Sequence, residues 1–372
     1  MSSDAQSIHQ ETFTINLGPQ HPATHGVLRI KLTMDGEYIV ASEPVIGYGH
    51  RMHEKMGENR PYAKFLPNTG RMDYVAAMFN THGYVCAVER LAGIPVPERA
   101  EYIRVITAEM NRLASHLLWV GAFLIDIGGF TPLLYTFDDR EQIIDLLESV
   151  TGSRLTFCYY RFGGVCNDID DAFIAGARAF IARLRSRMPM YHKFITGNII
   201  FRKRCEGIGY ISAETCRKFG ATGPMIRGSG VAYDVRKAEP YSIYPALDFN
   251  VPTHPEGDCM ARYLVRMDEL VESMRIVEQA LDKLPAGPFM ADKVPRSVKP
   301  PKGDCYFYVE SARGTFGIRL VSDGSEKAYR LKLRSPCFSN LSLFDQCSRG
   351  MLLPDALALL GSMDLVIPDV DR

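Results

Sequence analysis

The sequence lacks a long hydrophobic segment and an excess of charge of either sign. Its 372 residues contain 43 basic and 43 acidic side chains, so the net charge provides no general attraction to nucleic acid or to anionic lipid. The longest strongly apolar run, 117–125, is about half of what a membrane-spanning helix requires. We therefore expect no binding of nucleic acid, and any association with a membrane must occur through partners.

The sequence also lacks paired cysteines. Its nine cysteines lie at positions 86, 158, 166, 205, 216, 259, 305, 337 and 347. No two of them form a Cys-x-x-Cys pair, which excludes the usual ligand pattern of zinc, iron–sulfur and nickel sites. An odd number of cysteines, and an N-terminus at 1–6 without a basic or apolar region, predict reduced thiols in a protein that is not exported.

Periodicity predicts a mixed fold that is mainly helical. Residues 11–46 alternate in the manner of strands, with Asp35-Gly36 as a hairpin turn. From about residue 50 the pattern becomes helical. Apolar residues recur every three or four positions from Ile103 to Ile127, which predicts a long core helix that begins near 96–101 and ends at Gly128-Gly129.

Further helices are predicted at 132–151, 168–187 and 258–284. Strand character returns at 305–309, 316–321 and 329–333, with Asp323-Gly324 as the turn between the last two. The fold class is therefore α+β, mainly α, with small antiparallel sheets near the N- and C-terminal ends.

We expect one domain, 1–372. It comprises an N-terminal β-hairpin region at 11–46, a helical core at 50–284, and C-terminal strands and helices at 304–372. The proline-rich stretch 285–301 is interpreted as a surface loop within this domain.

A proline- and glycine-rich segment at 18–29 contains two histidines, His21 and His25. Proline fixes φ and removes a hydrogen-bond donor, so the segment is predicted to be a stiff, irregular loop. Imidazole exchanges protons near neutral pH, which favours a proton-transfer site. The alternative is a tight hairpin whose histidines only satisfy local hydrogen bonds.

Two further residues are candidates for function. Asp126 lies near the end of the predicted core helix, where a carboxylate is costly unless it is paired. A histidine would be a suitable partner, although a helix-end aspartate that reaches water is an equal alternative. Tyr74 is predicted to open another helical stretch and alone indicates only packing. His53-Glu54 does not form a zinc-protease motif, because Gly57 occupies the place of the second histidine.

The motif Gly-Pro-Gln-His-Pro-x-x-His-Gly-Val-Leu-Arg at 18–29 resembles the signature of the 49-kDa, or D, subunit of proton-pumping NADH:quinone oxidoreductase (respiratory complex I). The resemblance continues through nearly the whole chain. Its motifs include Arg-Met-Asp-Tyr-Val at 71–75, Ile-Asp-Ile-Gly-Gly-Phe-Thr-Pro at 125–132, Arg-Gly-Ser-Gly at 227–230, Gly-Asp-Cys-Met-Ala-Arg-Tyr at 257–263 and Val-Asp-Arg at 370–372.

This family is similar to the large subunit of nickel–iron hydrogenases, which implies a helical core of that type. Hydrogenases hold nickel with two Cys-x-x-Cys pairs, one near each end of the chain. The corresponding regions here, 47–51 and 367–372, contain no thiolate. The resemblance therefore implies no metal bound by this chain.

The resemblance implies a quinone-reduction site with catalytic roles for His25, Tyr74 and Asp126. His25 and Tyr74 would each hydrogen-bond one quinone carbonyl and supply a proton, and Asp126 would hydrogen-bond His25. His21 would support the loop. Arg51 would lie beside the terminal iron–sulfur cluster of a partner subunit.

Quinone is thus the implied substrate, while the iron–sulfur clusters and FMN would belong to partner subunits. The implied partners are the cluster-bearing small subunit (B type), the C-type 30-kDa subunit, the membrane-arm subunit at the quinone entry (H type) and the other subunits of the complex. The chain would lie on the cytoplasmic side of the bacterial inner membrane, peripheral through these partners. Two alternatives stay open: an equivalent subunit of an enzyme fed by ferredoxin or another donor, and a scaffold without turnover.

Overall fold

The computed structural model describes residues 12–21 and 26–372, and within them the fold begins with an antiparallel sheet. Its strands are β1 (Phe13–Leu17), β2 (Arg29–Asp35) and β3 (Tyr38–Val45), with β2 in the centre. Asp35 pairs with Tyr38 across the turn, which confirms the predicted hairpin. The predicted loop at 18–29 connects β1 to β2, and its residues 22–25 lie outside the described residues.

A helical region follows the first sheet. It comprises α1 (His53–Asn59), α2 (Tyr62–Thr69), α3 (Ala77–Ala92), α4 (Glu98–Asp126), α5 (Thr131–Thr151), the β4–β5 hairpin (Tyr160–Arg161, Gly164–Val165), α6 (Asp171–Tyr191), a π-helical turn (His192–Thr196), α7 (Ile199–Cys205), α8 (Ala213–Phe219), α9 (Pro224–Arg227), α10 (Val235–Ala238), a 3₁₀ turn (Tyr244–Ala246) and α11 (Cys259–Asp282). The predicted helices correspond to α4, α5, α6 and α11, with ends that differ by no more than a few residues.

The central element is α4, which has 29 residues, most of them buried. It packs against α5 and α11, so apolar side chains surround it on several sides. The apolar residues that recur every three or four positions form the face of α4 that is turned toward the core. The helix ends where Gly128 adopts a positive φ of 93°, as the glycine pair predicts.

The C-terminal part contains a second antiparallel sheet and four short helices. The strands are β6 (Gly303–Ser311), β7 (Gly314–Ser322) and β8 (Arg330–Arg334), followed by α12 (Pro336–Leu341), α13 (Phe344–Ser348), α14 (Leu353–Ser362) and α15 (Ile367–Asp371). Helices α12 to α15 share a hydrophobic core with the first sheet. The first sheet and these C-terminal helices therefore pack together.

The α+β, mainly α fold class predicted from the sequence is confirmed, since about half of the described residues are helical, and the two three-stranded sheets and the β4–β5 hairpin are small and antiparallel. Residues 283–302, which include the predicted loop, contain no helix or strand. No helix in the described part of the chain is long and apolar enough to cross a membrane. The division into regions at 11–46, 50–284 and 304–372 stays a prediction.

Candidate functional site

Tyr74 lies in a bend that precedes α3, so the prediction that it opens a helix was wrong by three residues. The neighbouring side chain determines this bend. The Oδ1 atom of Asp73 accepts hydrogen bonds from the backbone N–H of Val75 at 3.2 Å and of Ala76 at 3.0 Å. Aspartate commonly forms such turns with the backbone that follows it, at the expense of helix. The peptide of Tyr74 is thereby held between Asp73 and α3.

The second carboxylate oxygen of Asp73 belongs to a buried ionic cluster, which we call the Arg313 cluster. Arg313 Nη1 donates to Asp73 Oδ2 at 3.0 Å and to Ser115 Oγ at 3.2 Å, while Nη2 donates to Asp364 Oδ1 at 3.1 Å. Arg266 Nε lies 3.8 Å from Asp364 Oδ2. Two guanidinium groups thus face two carboxylates, which balances the charge that burial would otherwise make costly.

The cluster sets the electrostatics around Tyr74. Burial raises the pKa of the Tyr74 phenol above its usual value, and the positive charge of Arg313 opposes this shift. Burial also raises the pKa of Asp73, again against the effect of Arg313. Tyr74 is therefore a neutral phenol at neutral pH, able to donate a hydrogen bond and a proton.

Asp126 is the last residue of α4 and is half-buried. Its carboxylate lies against Gly361 in α14, since a Cβ atom built on Gly361 would be 2.9 Å from Asp126 Oδ2. The indole of Trp119 donates to the carbonyl of Gly361 at 2.9 Å. The absence of a side chain at position 361 is what allows α14 to approach this end of α4 so closely.

The chain segment 361–371 connects these features. It carries Gly361 beside Asp126, and three residues later Asp364, which Arg313 joins to Asp73, the neighbour of Tyr74. Three residues span at most about 11 Å, so Tyr74 and Asp126 lie in one region of the molecule. Gly26, the first described residue after the 22–25 gap, also lies against this segment: a Cβ there would be 3.1 Å from Ile367 Cγ1.

The predicted histidines of the loop are only partly described. His21 is exposed, and its supporting role stays a prediction. His25 lies outside the described residues, so its hydrogen bonds to quinone and to Asp126 stay predictions as well.

Arg51 is exposed and follows a loop that the C-terminal helix holds in place. The Asp371 carboxylate accepts from the backbone N–H of Gly47 at 2.8 Å and of Gly49 at 2.6 Å, while its carbonyl accepts from His50 Nδ1 at 2.5 Å. The two segments that would carry nickel thiolates in a hydrogenase therefore do meet. Their donor set here does not fit nickel, because it contains no thiolate and the Asp371 carboxylate is hydrogen-bonded to backbone N–H groups.

Within the described residues, no group of three or more His, Cys, Asp and Glu side chains is arranged to hold a metal ion. The Cys337 thiol lies near the Arg313 cluster, and burial raises its pKa well above the usual value, so it is a poor metal ligand and nucleophile.

An apolar cleft of about 380 Å³ lies at the C-terminal end of α4, immediately after Asp126. Its lining includes Leu124, Ile127, Phe130, Tyr135, Phe194 and Ile200. Phe130 and Ile200 are more than 60% exposed, and Leu134 and Ile199 extend the exposed apolar surface. Exposed apolar patches of this kind mark contacts with other proteins or with apolar ligands.

Sequence reasoning did not assign roles to Asp73, Arg313 or Asp364. Asp73 carried a local signal, an aspartate two and three residues before the N–H groups that it binds at the start of a helix. Arg313 carried none, since an arginine in a turn between two strands is normally solvated. Its burial depends on Ser115 in α4 and on Asp364 in the connection between α14 and α15, which are far from it in the sequence.

Comparison with known proteins identifies the chain's relatives. The family model described as the 49-kDa subunit of respiratory-chain NADH dehydrogenase matches residues 126–298 and 293–372. The D subunit of NADH-quinone oxidoreductase from Desulfotalea psychrophila is 66% identical over 362 residues, which cover 97% of both chains. A D subunit of the same enzyme from Opitutus terrae is also 66% identical, over 97% of this chain and 91% of its own. The D subunit from Syntrophobacter fumaroxidans is 58% identical over 98% of both.

These similarities define the class of protein as a subunit of a respiratory oxidoreductase. More narrowly, the chain belongs to the family of the 49-kDa, or D, subunits of NADH:quinone oxidoreductase. The family predicted from the motifs is thereby confirmed.

Proposed function

We propose that this chain forms, together with the cluster-bearing small subunit, the quinone-reduction site of a proton-translocating NADH:quinone oxidoreductase. Its relatives carry this enzyme's name, which favours NADH over ferredoxin as the source of electrons. The electrons reach quinone from the terminal iron–sulfur cluster of the partner, and Arg51 lies near that cluster. This chain supplies hydrogen bonds and protons.

One observation carries the proposal. Asp126 and the described end of the histidine loop at Gly26 lie against the segment 361–371, and Arg313 joins Asp364 of this segment to Asp73, the neighbour of Tyr74. Gly26, Tyr74 and Asp126 come from three distant parts of the sequence, and each belongs to one of the motifs that mark the family. A scaffold without turnover would not need a half-buried phenol next to a charge-balanced cluster.

Reduction of a quinone to a quinol consumes two electrons and two protons. The Tyr74 phenol donates a hydrogen bond to one carbonyl oxygen and the His25 imidazolium to the other, so each stabilises the negative charge that reduction places on oxygen. Each then releases a proton to that oxygen. The nearby Arg313 guanidinium stabilises the tyrosinate that remains at Tyr74.

Asp126 positions His25 in this scheme and compensates its charge. Once His25 gives its proton to the quinone, the Asp126 carboxylate loses a positive partner. The resulting imbalance at the end of α4 is the signal that couples quinone reduction to proton pumping in the membrane arm. The segment 361–371 carries the movement, because Gly361 lies directly against Asp126.

We assign each proposed partner subunit to a surface of this chain. The small B-type subunit lies over Arg51 and the histidine loop, and the apolar cleft beyond Asp126 faces the H-type membrane-arm subunit. The C-type 30-kDa subunit and other subunits of the complex cover further faces of the chain. The chain is peripheral, on the cytoplasmic side of the bacterial inner membrane, and is held there by these partners.

The test replaces Tyr74 by Phe and, separately, His25 by Ala in the assembled complex. Quinone reduction is expected to fall by roughly 10²- to 10⁴-fold, the usual contribution of a positioned proton donor. Transfer of electrons from NADH to an artificial acceptor at the flavin should persist, which shows that the complex is assembled. Normal quinone turnover in both variants would refute the site.

A further inference from the structure

The feature that carries this inference is the position of Arg313. Its turn, Ala312-Arg313, joins β6 to β7 with Ser311 paired to Gly314. Turns of this type normally project into water, but the Arg313 side chain is only 1% exposed. Removing a guanidinium from water costs several kcal/mol unless its partners are well placed. The tip of the β6–β7 hairpin is therefore buried so that the charged guanidinium of Arg313 can bind its partners.

The elements around the tip fix it in this position. Arg112 of α4 donates to the carbonyl oxygens of Glu310 at 2.6 Å and of Ser311 at 3.1 Å. The Nδ2 atom of Asn340 in α12 donates to the carbonyl of Arg313 itself at 3.3 Å. The backbone that carries Arg313 is thus hydrogen-bonded to α4 and to α12, which leaves the Arg313 side chain little freedom.

From this position Arg313 reaches Tyr74 through a single residue. Its Nη1 atom binds one oxygen of Asp73, and the other oxygen of the same carboxylate accepts from Val75 and Ala76 on the far side of Tyr74. A rotation of the Asp73 carboxylate would break both sets of contacts at once. The orientation of the Tyr74 peptide is therefore tied to the position of the guanidinium.

On the basis of the proposed function, we infer that Arg313 is a positioning residue for quinone reduction, which holds Tyr74 toward the quinone by fixing the Asp73 carboxylate. Asp364 and Ser115 hold the same guanidinium from the other side. Arg313 does not touch the quinone. Its contribution is the placement of the phenol and the positive charge behind it.

A second buried arginine provides a matched control. Arg104 in α4 is also fully buried, and it also binds two carboxylates, Glu89 at 2.6 Å and Glu101 at 3.1 Å. It lies eleven residues before Ser115 on the same helix, or about 16 Å along the axis. Replacing either arginine by lysine disturbs a buried cluster of the same chemistry, but only one of the two clusters contains Asp73.

The experiment compares Arg313→Lys and Arg104→Lys in the assembled complex, each alone and combined with Tyr74→Phe. A lysine keeps the charge but cannot bind two carboxylates with a planar fork. The readouts are kcat and KM for a short-chain quinone, with flavin-site NADH oxidation used to count assembled complex. Arg313→Lys is expected to lower kcat/KM for quinone by roughly 10- to 100-fold, as misplacement by about 1 Å does. Arg104→Lys should leave it unchanged per assembled complex.

The combination with Tyr74→Phe separates positioning from general damage. If Arg313 acts through the Tyr74 phenol, Arg313→Lys lowers the residual rate of the Tyr74→Phe complex by no more than about twofold, whereas independent effects would multiply. A full multiplication, or equal quinone kinetics in Arg313→Lys and Arg104→Lys, would overturn the inference. Normal quinone reduction in both Tyr74→Phe and His25→Ala would instead refute the proposed function, whereas normal quinone reduction in Tyr74→Phe only would overturn the inference.

A variant of similar shape keeps the inference testable if Arg313→Lys assembles poorly. Asp73→Asn retains an oxygen that accepts from Val75 and Ala76 but removes the charge that Arg313 binds. The same fall in kcat/KM for quinone is expected. Wild-type quinone kinetics in Asp73→Asn would show that the turn alone places Tyr74, and would overturn the role of Arg313.

Discussion

Arg104 and Arg313 form two clusters of similar chemistry at different points along α4. In each, a buried guanidinium binds two carboxylates at hydrogen-bond distance. The Arg104 cluster also binds the carbonyl oxygens of Arg161 and Gly164 in the β4–β5 hairpin. All of its partners therefore belong to regular elements of the scaffold.

The Arg313 cluster differs in where its carboxylates come from. Glu89 lies inside a helix, so the bond to Arg104 joins two elements that are already formed. Asp73 lies in a bend and Asp364 in the connection between α14 and α15, so neither carboxylate lies inside a helix or a strand. The same ionic interaction thus serves packing in one region and the shape of an irregular site in the other.

The largest expected effects come from removing each guanidinium. Arg104→Met and Arg313→Met each leave buried carboxylates without their cation, which typically costs about 3–5 kcal/mol. We expect a similar fall in the yield and in the thermal midpoint of the assembled complex for both. Arg154→Met is the control, because Arg154 binds three carboxylates but lies at the surface, where such pairs contribute little.

Arg104→Met and Arg313→Met also test whether the two clusters differ in function. We expect equal losses of stability in the two variants, and a change in quinone reduction per assembled complex only in Arg313→Met. This result would support the view that the two clusters share the same chemistry but differ in function. If Arg104→Met lowered quinone reduction per complex to the same degree, the distinction between scaffold and site would fail.

The next effect concerns the close contact between α14 and α4. In Gly361→Ala, the new Cβ would lie 2.9 Å from Asp126 Oδ2 and 3.0 Å from Phe123 Cδ2, so the Asp126 carboxylate must shift. Such overpacking costs about 1–3 kcal/mol. We also expect roughly a tenfold fall in quinone reduction, as misplaced catalytic groups produce, measured against flavin-site NADH oxidation.

Gly303→Ala is the matched control for this prediction, since its Cβ would meet only Leu91 Cδ1 at 3.8 Å. It should retain both stability and quinone reduction. Unchanged quinone reduction in Gly361→Ala would remove Gly361 from the path between Asp126 and the segment 361–371.

The contrast between the clusters also explains how much the sequence could predict. The long helix α4, the hairpin at Asp35-Gly36 and the second sheet follow from local periodicity and turn residues, because their hydrogen bonds are local. Asp126 was singled out as a carboxylate near the end of the predicted core helix, and the catalytic roles predicted for Tyr74 and Asp126 come from the family resemblance. The Arg313 cluster was not, because its members at 73, 266, 313 and 364 have no common spacing and meet only in the folded chain.

The smallest expected effect concerns Asp369 in α15, next to the Arg313 cluster. Its carboxylate accepts hydrogen bonds from two uncharged donors, Ser335 Oγ at 2.5 Å and the Cys337 N–H at 3.3 Å. Burial and the charge of Asp73 raise the pKa of Asp369 to about 6, from 3.8. Between about pH 4 and 6 the folded state thus holds a proton that the unfolded chain has lost. Asp369 therefore lowers the free energy of unfolding progressively as the pH rises through this window, and its full penalty is present above it.

Asp369→Asn removes this ionisation and keeps an oxygen acceptor for both donors. The thermal midpoint of the assembled complex should therefore change less between pH 4.5 and 7 than in the wild type. At pH 7 the variant should be more stable by roughly 1–3 kcal/mol, since one pKa unit corresponds to about 1.4 kcal/mol. Asp304→Asn, at an exposed position of β6, should leave the pH dependence unchanged. An identical pH dependence in Asp369→Asn and wild type would show that Asp369 stays charged beside Asp73, and that the two guanidinium groups of the Arg313 cluster compensate three carboxylates.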